Sequence, residues 1–237
     1  MNASSSDMDV LERLLRSRRS CRAFLDCPVP DETVARLLQC AQLTASWCNT
    51  QPWQTIVTRG AATDAFREAY LAELNDGEAA TDLPFPRDYV GVYQQRRREC
   101  GMQLYSSVGI SRADQIGKDR QARRNFEFFD APHVMIVTTD EALGVYGAVD
   151  CGAYVAQLLL AAEALGLGAI AQAALASHSP FVRRHFGLDD QRLVVCGLSF
   201  GHADPQHPAN RFRTSRVETT EAVTFHESWP SGAECPA

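Results

Sequence analysis

Apolar side chains recur at Val10, Leu11, Leu14 and Leu15, the spacing of one helix face, and predict a helix over residues 8–17. Cys27-Pro28-Val29-Pro30 interrupts the chain. Asp31 then reads as the cap of a second helix reaching about Thr44, with Val34, Leu37, Leu38, Ala41 and Leu43 on its apolar side. Residues 54–58 are rich in β-branched side chains and predict a strand, and 61–74 predict another amphipathic helix. Residues 75–120 are the least regular stretch, punctuated by Leu83-Pro84-Phe85-Pro86, with one helix expected over about 92–108. So long an excursion in a compact domain reads as a cover over a site. The continuous apolar run in 131–139 predicts a buried strand. Residues 148–165 are apolar nearly all round, which predicts a helix that is buried or lies at a subunit interface, stopped by Gly166 just past its end. Residues 168–175 predict a strand feeding a loop, Ser179-Pro180 opens a short helix with proline in its first position, and 192–200 predict a core strand. Residues 203–237 read as a polar C-terminal tail carrying Arg211, Arg213 and Arg216. Helices dominate, strands do not alternate regularly with them, and neither a repeat nor a linker appears. The expected fold is a single α+β domain.

Composition narrows the function classes. At 237 residues and 45% hydrophobic, the chain is long enough for one well-filled core. A net charge of −6 argues against a nucleic-acid partner, which requires a basic face. Lys118 is the only lysine, so 22 of the 23 basic side chains are arginine. With that bias, an arginine carries weight through spacing and context alone. The eight cysteines (21, 27, 40, 48, 100, 151, 196 and 235) show no CxxC pair and read as free thiols, small and buried apart from Cys235 in the tail. The first residues lack the basic and apolar regions of a signal peptide, and no stretch approaches the ~20 apolar residues of a membrane span. A cytoplasmic protein with no membrane partner is expected.

Two polar stretches could carry chemistry. Residues 17–22 (Ser-Arg-Arg-Ser-Cys-Arg) place three guanidinium groups and two hydroxyls at a helix exit, a donor set suited to phosphate. A solvated basic run reads the same way. Ser46, Asn49 and Gln51, held by Pro52 and Trp53, could meet the polar edge of a ligand or simply cap a turn. Other patterns lead nowhere. There is no GxGxxG and no Walker A motif, and Gly166-Leu167-Gly168 is a helix stop. His202, Asp204 and His207 lie in a turn marked by Pro205 and Pro208, so no metal site is expected. Ser177 and His178 with Asp150 lack the elbow of a hydrolase.

Arg18-Arg19-Ser20-Cys21-Arg22-Ala23-Phe24, then Ser46-x-x-Asn49-x-Gln51-Pro52-Trp53, then Ala131-Pro132 before a strand, then Asp150-x-Gly152 opening an apolar helix, then Ala164-Leu165-Gly166-Leu167-Gly168, and finally Arg216, occur in one order along the whole chain. In that order they resemble the FMN-dependent nitroreductase family. The block Arg96-Arg97-Arg98-Glu99-Cys100-Gly101 with Leu104-Tyr105 resembles its nitrobenzoate and nitroaniline reductase branch. The resemblance implies an intertwined α+β homodimer with a central, mostly antiparallel sheet flanked by helices, and two FMN sites at the interface. It implies that Arg18, Ser20 and Arg22 bind the FMN phosphate and ribityl chain, with Arg19 contributing backbone to the ring. Ser46, Asn49 and Gln51 fall among the polar contacts, Ser46 and Asn49 reaching the site from the second subunit. Ala173 and Ala174 fall where the family presents a backbone N–H to flavin N5, although its second position is commonly glycine. Arg216 matches a late arginine on the phosphate, with Arg213 replacing the lysine that Thr214 does not supply. The ring-edge contact falls near Arg124 or Asn125. The implied reaction is ping-pong: NAD(P)H delivers hydride to flavin N5, and a nitroaromatic or similarly electron-poor acceptor then receives it, with no catalytic acid or base from the protein. Tyr89, Tyr93, Arg97 and Tyr105 are expected acceptor contacts under the cover. The alternatives are an enone reductase, reductive dehalogenase or oxidase on the same fold, or a flavin-free binding module.

Overall fold

The computed structural model describes residues 6–226, so Cys235 and the end of the tail lie outside the described residues. Four strands, β1 (Gln54–Arg59), β2 (His133–Asp140), β3 (Gly168–Gln172) and β4 (Arg192–Gly201), form an antiparallel sheet in the order β1-β2-β4-β3. Eight helices surround it: α1 (Asp7–Ser17), α2 (Asp31–Gln42), α3 (Ala61–Asp76), α4 (Gly91–Ser107), α5 (Gln115–Arg123), α6 (Gly144–Ala164), α7 (Ser179–Phe186) and the single turn α8 (Thr219–Ala222).

The apolar run of β2 follows from burial on both faces. Met135 and Val137 meet α2 and α6 through Leu37, Ala41, Tyr154 and Leu158. The alternate residues Val134 and Ile136 meet α3 and α7 through Phe66, Tyr70, Phe181 and Val182. Each such fully buried side chain contributes about 1.5–3 kcal/mol relative to exposure.

Several elements differ from expectation for identifiable reasons. Pro30, not Asp31, is the N-cap of α2 and makes no side-chain cap bond; Asp31 lies inside the first turn, where its charge suits the helix dipole. The N-cap of α7 is His178, which makes Pro180 its second residue. The sequence 115–123 has Ile116 as its one large apolar residue and so shows no helical periodicity, yet α5 forms there, capped by the Asp114 carboxylate accepting the Gly117 N–H at 2.8 Å. α6 starts at Gly144, so Asp150 lies within it and does not open it.

α6 is buried along one side only. Cys151, Tyr154, Leu158 and Ala162 face the core, while Val145, Tyr146 and Val149 are exposed. By length and composition Glu141–Ala164 is apolar enough to cross a membrane, contrary to the expectation that no stretch approaches one. Its apolar character has one visible use here, packing on the sheet. Of the seven described cysteines, Cys21 and Cys151 are buried, Cys100 and Cys196 are partly covered, and Cys27, Cys40 and Cys48 are exposed. The expectation of small buried thiols therefore fails for most of them: Cys27 precedes a proline-rich break, Cys40 sits on the outer side of α2, and Cys48 is in an exposed turn at φ +51°.

At the start of β2, buried His133 accepts the Val29 N–H at Nε2 (3.0 Å), which leaves Nδ1–H to donate to the Thr58 carbonyl (3.3 Å). Burial holds its pKa below the ordinary value. The unfolded chain therefore binds this proton more readily than the folded one. Stability from His133 is fully present above pH of about 6.5 and is lost as pH falls toward the depressed folded value. Urea unfolding of wild type should weaken below that pH, and His133→Gln should remove this part of the slope.

Candidate functional site

After α1 the chain runs along the free edge of β3. Ser20 bridges Ala169 in parallel, and the Cys21 N–H donates to the Ala169 carbonyl at 3.1 Å. Phe24 bridges Ala203 beyond the end of β4, with the Leu25 N–H bonded to the His202 carbonyl at 2.8 Å. The arginines are thereby fixed to the sheet margin. Because the Ala169 backbone points away from β4, alternation directs the Ala171 backbone to the same open edge. The turn Ala173–Ala176 follows directly.

Asn210 closes the arrangement from the far end of the chain. It is 4% exposed. Its Oδ1 accepts the Arg22 N–H at 2.7 Å, and its Nδ2 donates to the carbonyls of Ala23 (2.9 Å) and Asp204 (2.8 Å). The chain that leaves Asn210 carries Arg213 and Arg216 back over the arginine strand.

Between them lies a cavity of about 680 Å³, lined in part by Arg18, Arg19, Ser20, Arg22, Arg213 and Arg216. Arg16 adds a further cation, and Glu218 is the one carboxylate in the lining. The excess of cations demands an anion. Arg22 stacks over Phe212 with its guanidinium carbon 5.4 Å from the ring centroid, and burial lowers its pKa. The Arg19 Nε is buried without a hydrogen-bond partner. Unpaired buried donors and partly desolvated guanidiniums suit a phosphate, which accepts charge-assisted bonds from several at once. Arg19 is among the residues that line this cavity.

Asn125, one of the two positions expected near the ring edge, and the Ala173–Ala174 turn, expected to present a backbone N–H to flavin N5, are joined in the structure. Gln172 donates from Nε2 to the Asn125 carbonyl at 2.8 Å. Neither Asn125 nor the alanines line the arginine cavity.

Ser46, Asn49 and Gln51 lie elsewhere in the chain, on a turn packed against α6. The Ser46 Oγ accepts the Gln51 N–H at 2.9 Å, and the Gln51 side chain donates to Asn49 and accepts from Gln42. Trp47 donates its N–H to Asp150 at 3.1 Å and meets Tyr146 edge-on at 4.4 Å. This turn is exposed and shares no cavity with the arginines of its own chain.

α4 forms a wall opposite the late arginines. With residues 214–217 and Glu221 it encloses a second cavity of about 600 Å³, and Cys100 and Arg216 line both cavities. Arg97 lies over Tyr89 at 5.1 Å. Tyr93 is exposed and Tyr105 half-buried, and none of Tyr89, Tyr93, Arg97 and Tyr105 lines either cavity.

The rejected patterns resolve structurally. His207 and Asp204 are spent on local turns, accepting the N–H groups of Ala209 and Gln206. Ser177 and His178 touch at 3.0 Å, but Asp150 is bonded to Trp47, so no triad assembles.

A helix-wrapped antiparallel sheet with a cationic cavity along one edge defines an α+β domain whose cavity has the charge to accept an anionic ligand. Residues 15–202 match the family model described as the Nitroreductase family, and the chain belongs to that family. A 4-nitrobenzoate reductase of Nocardioides sp. (strain LMS-CY) is 34% identical over 92% of this chain and 90% of its own length. A chloronitrobenzene nitroreductase of Comamonas testosteroni is 36% identical over 92% of this chain and 97% of its own length. The solved structure of the FMN-dependent nitroreductase NfnB from Mycobacterium smegmatis in complex with NADPH superposes with a TM-score of 0.88 at 32% identity, covering 93% of this chain and 100% of that one. The expected fold is that of these relatives.

Asn210 and Phe212 carry no motif in the sequence. Replacing Asn210 with alanine removes three hydrogen bonds and orphans buried backbone groups, a cost of about 2–4 kcal/mol. Asn210→Ala should lower the urea midpoint accordingly with little change in slope.

Proposed function

We propose that this protein is an FMN-dependent oxidoreductase that uses NAD(P)H to reduce nitroaromatic acceptors. The observation that carries the reading is the cavity in which Arg18, Ser20 and Arg22 meet Arg213 and Arg216. Family membership and relatives named as nitroreductases support the same reading. FMN, when bound, supplies hydride chemistry between a reduced nicotinamide and an electron-poor acceptor.

The residues divide the work. Arg22 and Arg216 would neutralise the phosphate dianion of FMN, assisted by Arg18, Arg19 and Arg213, and the Ser20 hydroxyl would hold the adjacent ribityl chain. The open edge of β3 leads from Ser20 toward the Ala173–Ala174 turn, whose backbone N–H groups, with the nearby Asn125, would bond the polar rim of the ring. α4 would cover the site, reaching both cavities through Cys100, while Tyr89, Tyr93, Arg97 and Tyr105, which line neither cavity, would meet an aromatic acceptor from outside them.

The active form is a homodimer in this reading. No residue of α1 is buried although its Leu11 and Leu15 form an apolar face with Met8 nearby, and Leu43, Trp47, Val145, Tyr146 and Val149 form a further exposed apolar group. Patches of this kind mark protein interfaces. Dimerisation brings Ser46 and Asn49 of the partner subunit to the site, which explains why they lie apart from the arginines of their own chain. The seven described free thiols suit a reducing cytoplasm.

Losing one charge-assisted contact costs about 1.5–3 kcal/mol, so Arg22→Ala should weaken FMN binding roughly ten- to a hundredfold by fluorescence titration, while Arg97→Ala changes it by less than about threefold. Equal retention in both variants contradicts the clamp. With NADPH as donor, a nitrobenzoate should turn over faster than an enone; no consumption of the nitro compound contradicts the assigned reaction. Val149→Arg should shift the protein from dimer to monomer in light scattering and release FMN.

A further inference from the structure

Gln172 ends β3 and immediately precedes Ala173 and Ala174. It is 2% exposed. Its Nε2 donates to the backbone carbonyl of Asn125, and its Oε1 accepts the hydroxyl of Ser199, which is fully buried on β4. The amide orientation is forced. A backbone carbonyl only accepts, so nitrogen must face Asn125 and oxygen must face Ser199, whose hydroxyl then donates.

The sheet register explains why these groups meet. Ile170 pairs with Ser199 and Gln172 with Gly197, which makes Ser199 the diagonal neighbour of Gln172 on the same face. Opposite Gln172, Gly197 presents no side chain, and Leu175 fills that space: a Cβ on Gly197 would stand 2.8 Å from the Leu175 Cβ. The chain beyond Gln172 therefore folds back onto the sheet, and the Tyr70 hydroxyl donates to the Leu175 carbonyl at 3.2 Å. Asn125 arrives from a different element, the connection between α5 and β2. Gln172 ties that connection to the turn.

We propose that Gln172, locked by Ser199, is a positioning residue that holds Asn125 and the Ala173–Ala174 backbone at one fixed spacing. It thereby pre-organises the two protein surfaces that flank the redox-active ring, a role that rests on the FMN reading above. The phosphate clamp has its own anchor in Asn210, so the ring-side walls and the clamp are separable. Donors fixed before the reaction act without reorganisation, and a loosened wall loses that benefit while the clamp still binds.

Four readouts test this on wild type, Gln172→Met, Gln172→Glu and the double variant Gln172→Met/Ser199→Ala: backbone hydrogen exchange without FMN, FMN affinity, the midpoint potential of bound FMN, and competition by inorganic phosphate. Gln172→Met should remove both buried side-chain hydrogen bonds, speed exchange in both 123–126 and 173–176, weaken FMN by about tenfold and shift the potential, with phosphate competition unchanged. Gln172→Glu should be worse, because a carboxylate oxygen then faces the Asn125 carbonyl. The double variant removes the unpaired hydroxyl and should regain thermal stability without restoring FMN affinity or potential. Should Gln172→Met fail to fold, Ser199→Ala is read by the same measures and should shift them in the same direction. FMN affinity and potential unchanged within about twofold in a folded variant, or restored in step with stability in the double variant, overturn the role and leave the FMN reading standing. A wild type that binds no FMN overturns both.

Discussion

The arginine strand is held at the margin of the sheet by backbone hydrogen bonds to Ala169 and His202 and by the side chain of Asn210. The rest of the site depends on that attachment. A run of guanidinium groups on a free coil would spread into water, each arginine sampling its own rotamers. Fixed at the edge of β3, the same groups converge on one volume. The restraint comes from both ends of the chain at once: Asn210 reaches back 188 residues to the Arg22 N–H, and the segment after it delivers Arg213 and Arg216. The cavity is assembled by chain topology, and its lining carries an excess of cations.

The sheet contributes in a second way. Its two faces are covered unequally: α3 and α7 close one face with aromatic packing, whereas on the other α6 keeps Val145, Tyr146 and Val149 exposed. Tyr146 and Trp47 pack against each other on that outer surface, above the turn that carries Ser46 and Asn49. In the proposed homodimer a second copy docked there would cover the apolar surface and supply the polar turn in one step, so that oligomerisation and completion of the site would be a single event.

Much of this was readable from residue order where chemistry is local. β2 announces itself because both of its faces are buried, and Gly166 stops α6 because φ +73° favours glycine. The arginine run was visible but ambiguous in a chain with one lysine; its companions downstream, not its own charge, gave it meaning. The departures from expectation have separate causes. α5 has Ile116 as its one large apolar residue, so periodicity is silent, and its Asp114 cap does the work. Asn210, Gln172 and Ser199 are ordinary polar residues until the fold brings backbone carbonyls and hydroxyls against them from distant segments. The buried-cysteine expectation failed because Cys27, Cys40 and Cys48 sit in a break, on an outer helix face and in an exposed turn.

The central claim is that the arginine cavity holds the phosphate of FMN and that the bound flavin accepts hydride from NAD(P)H. The visible spectrum of the purified, FMN-reconstituted protein tests it most directly, recorded before and after anaerobic addition of NADPH. The account predicts flavin absorbance retained through desalting in wild type and bleached by NADPH. A colourless protein, or a flavin band that NADPH leaves unchanged while dithionite bleaches it, would contradict the account.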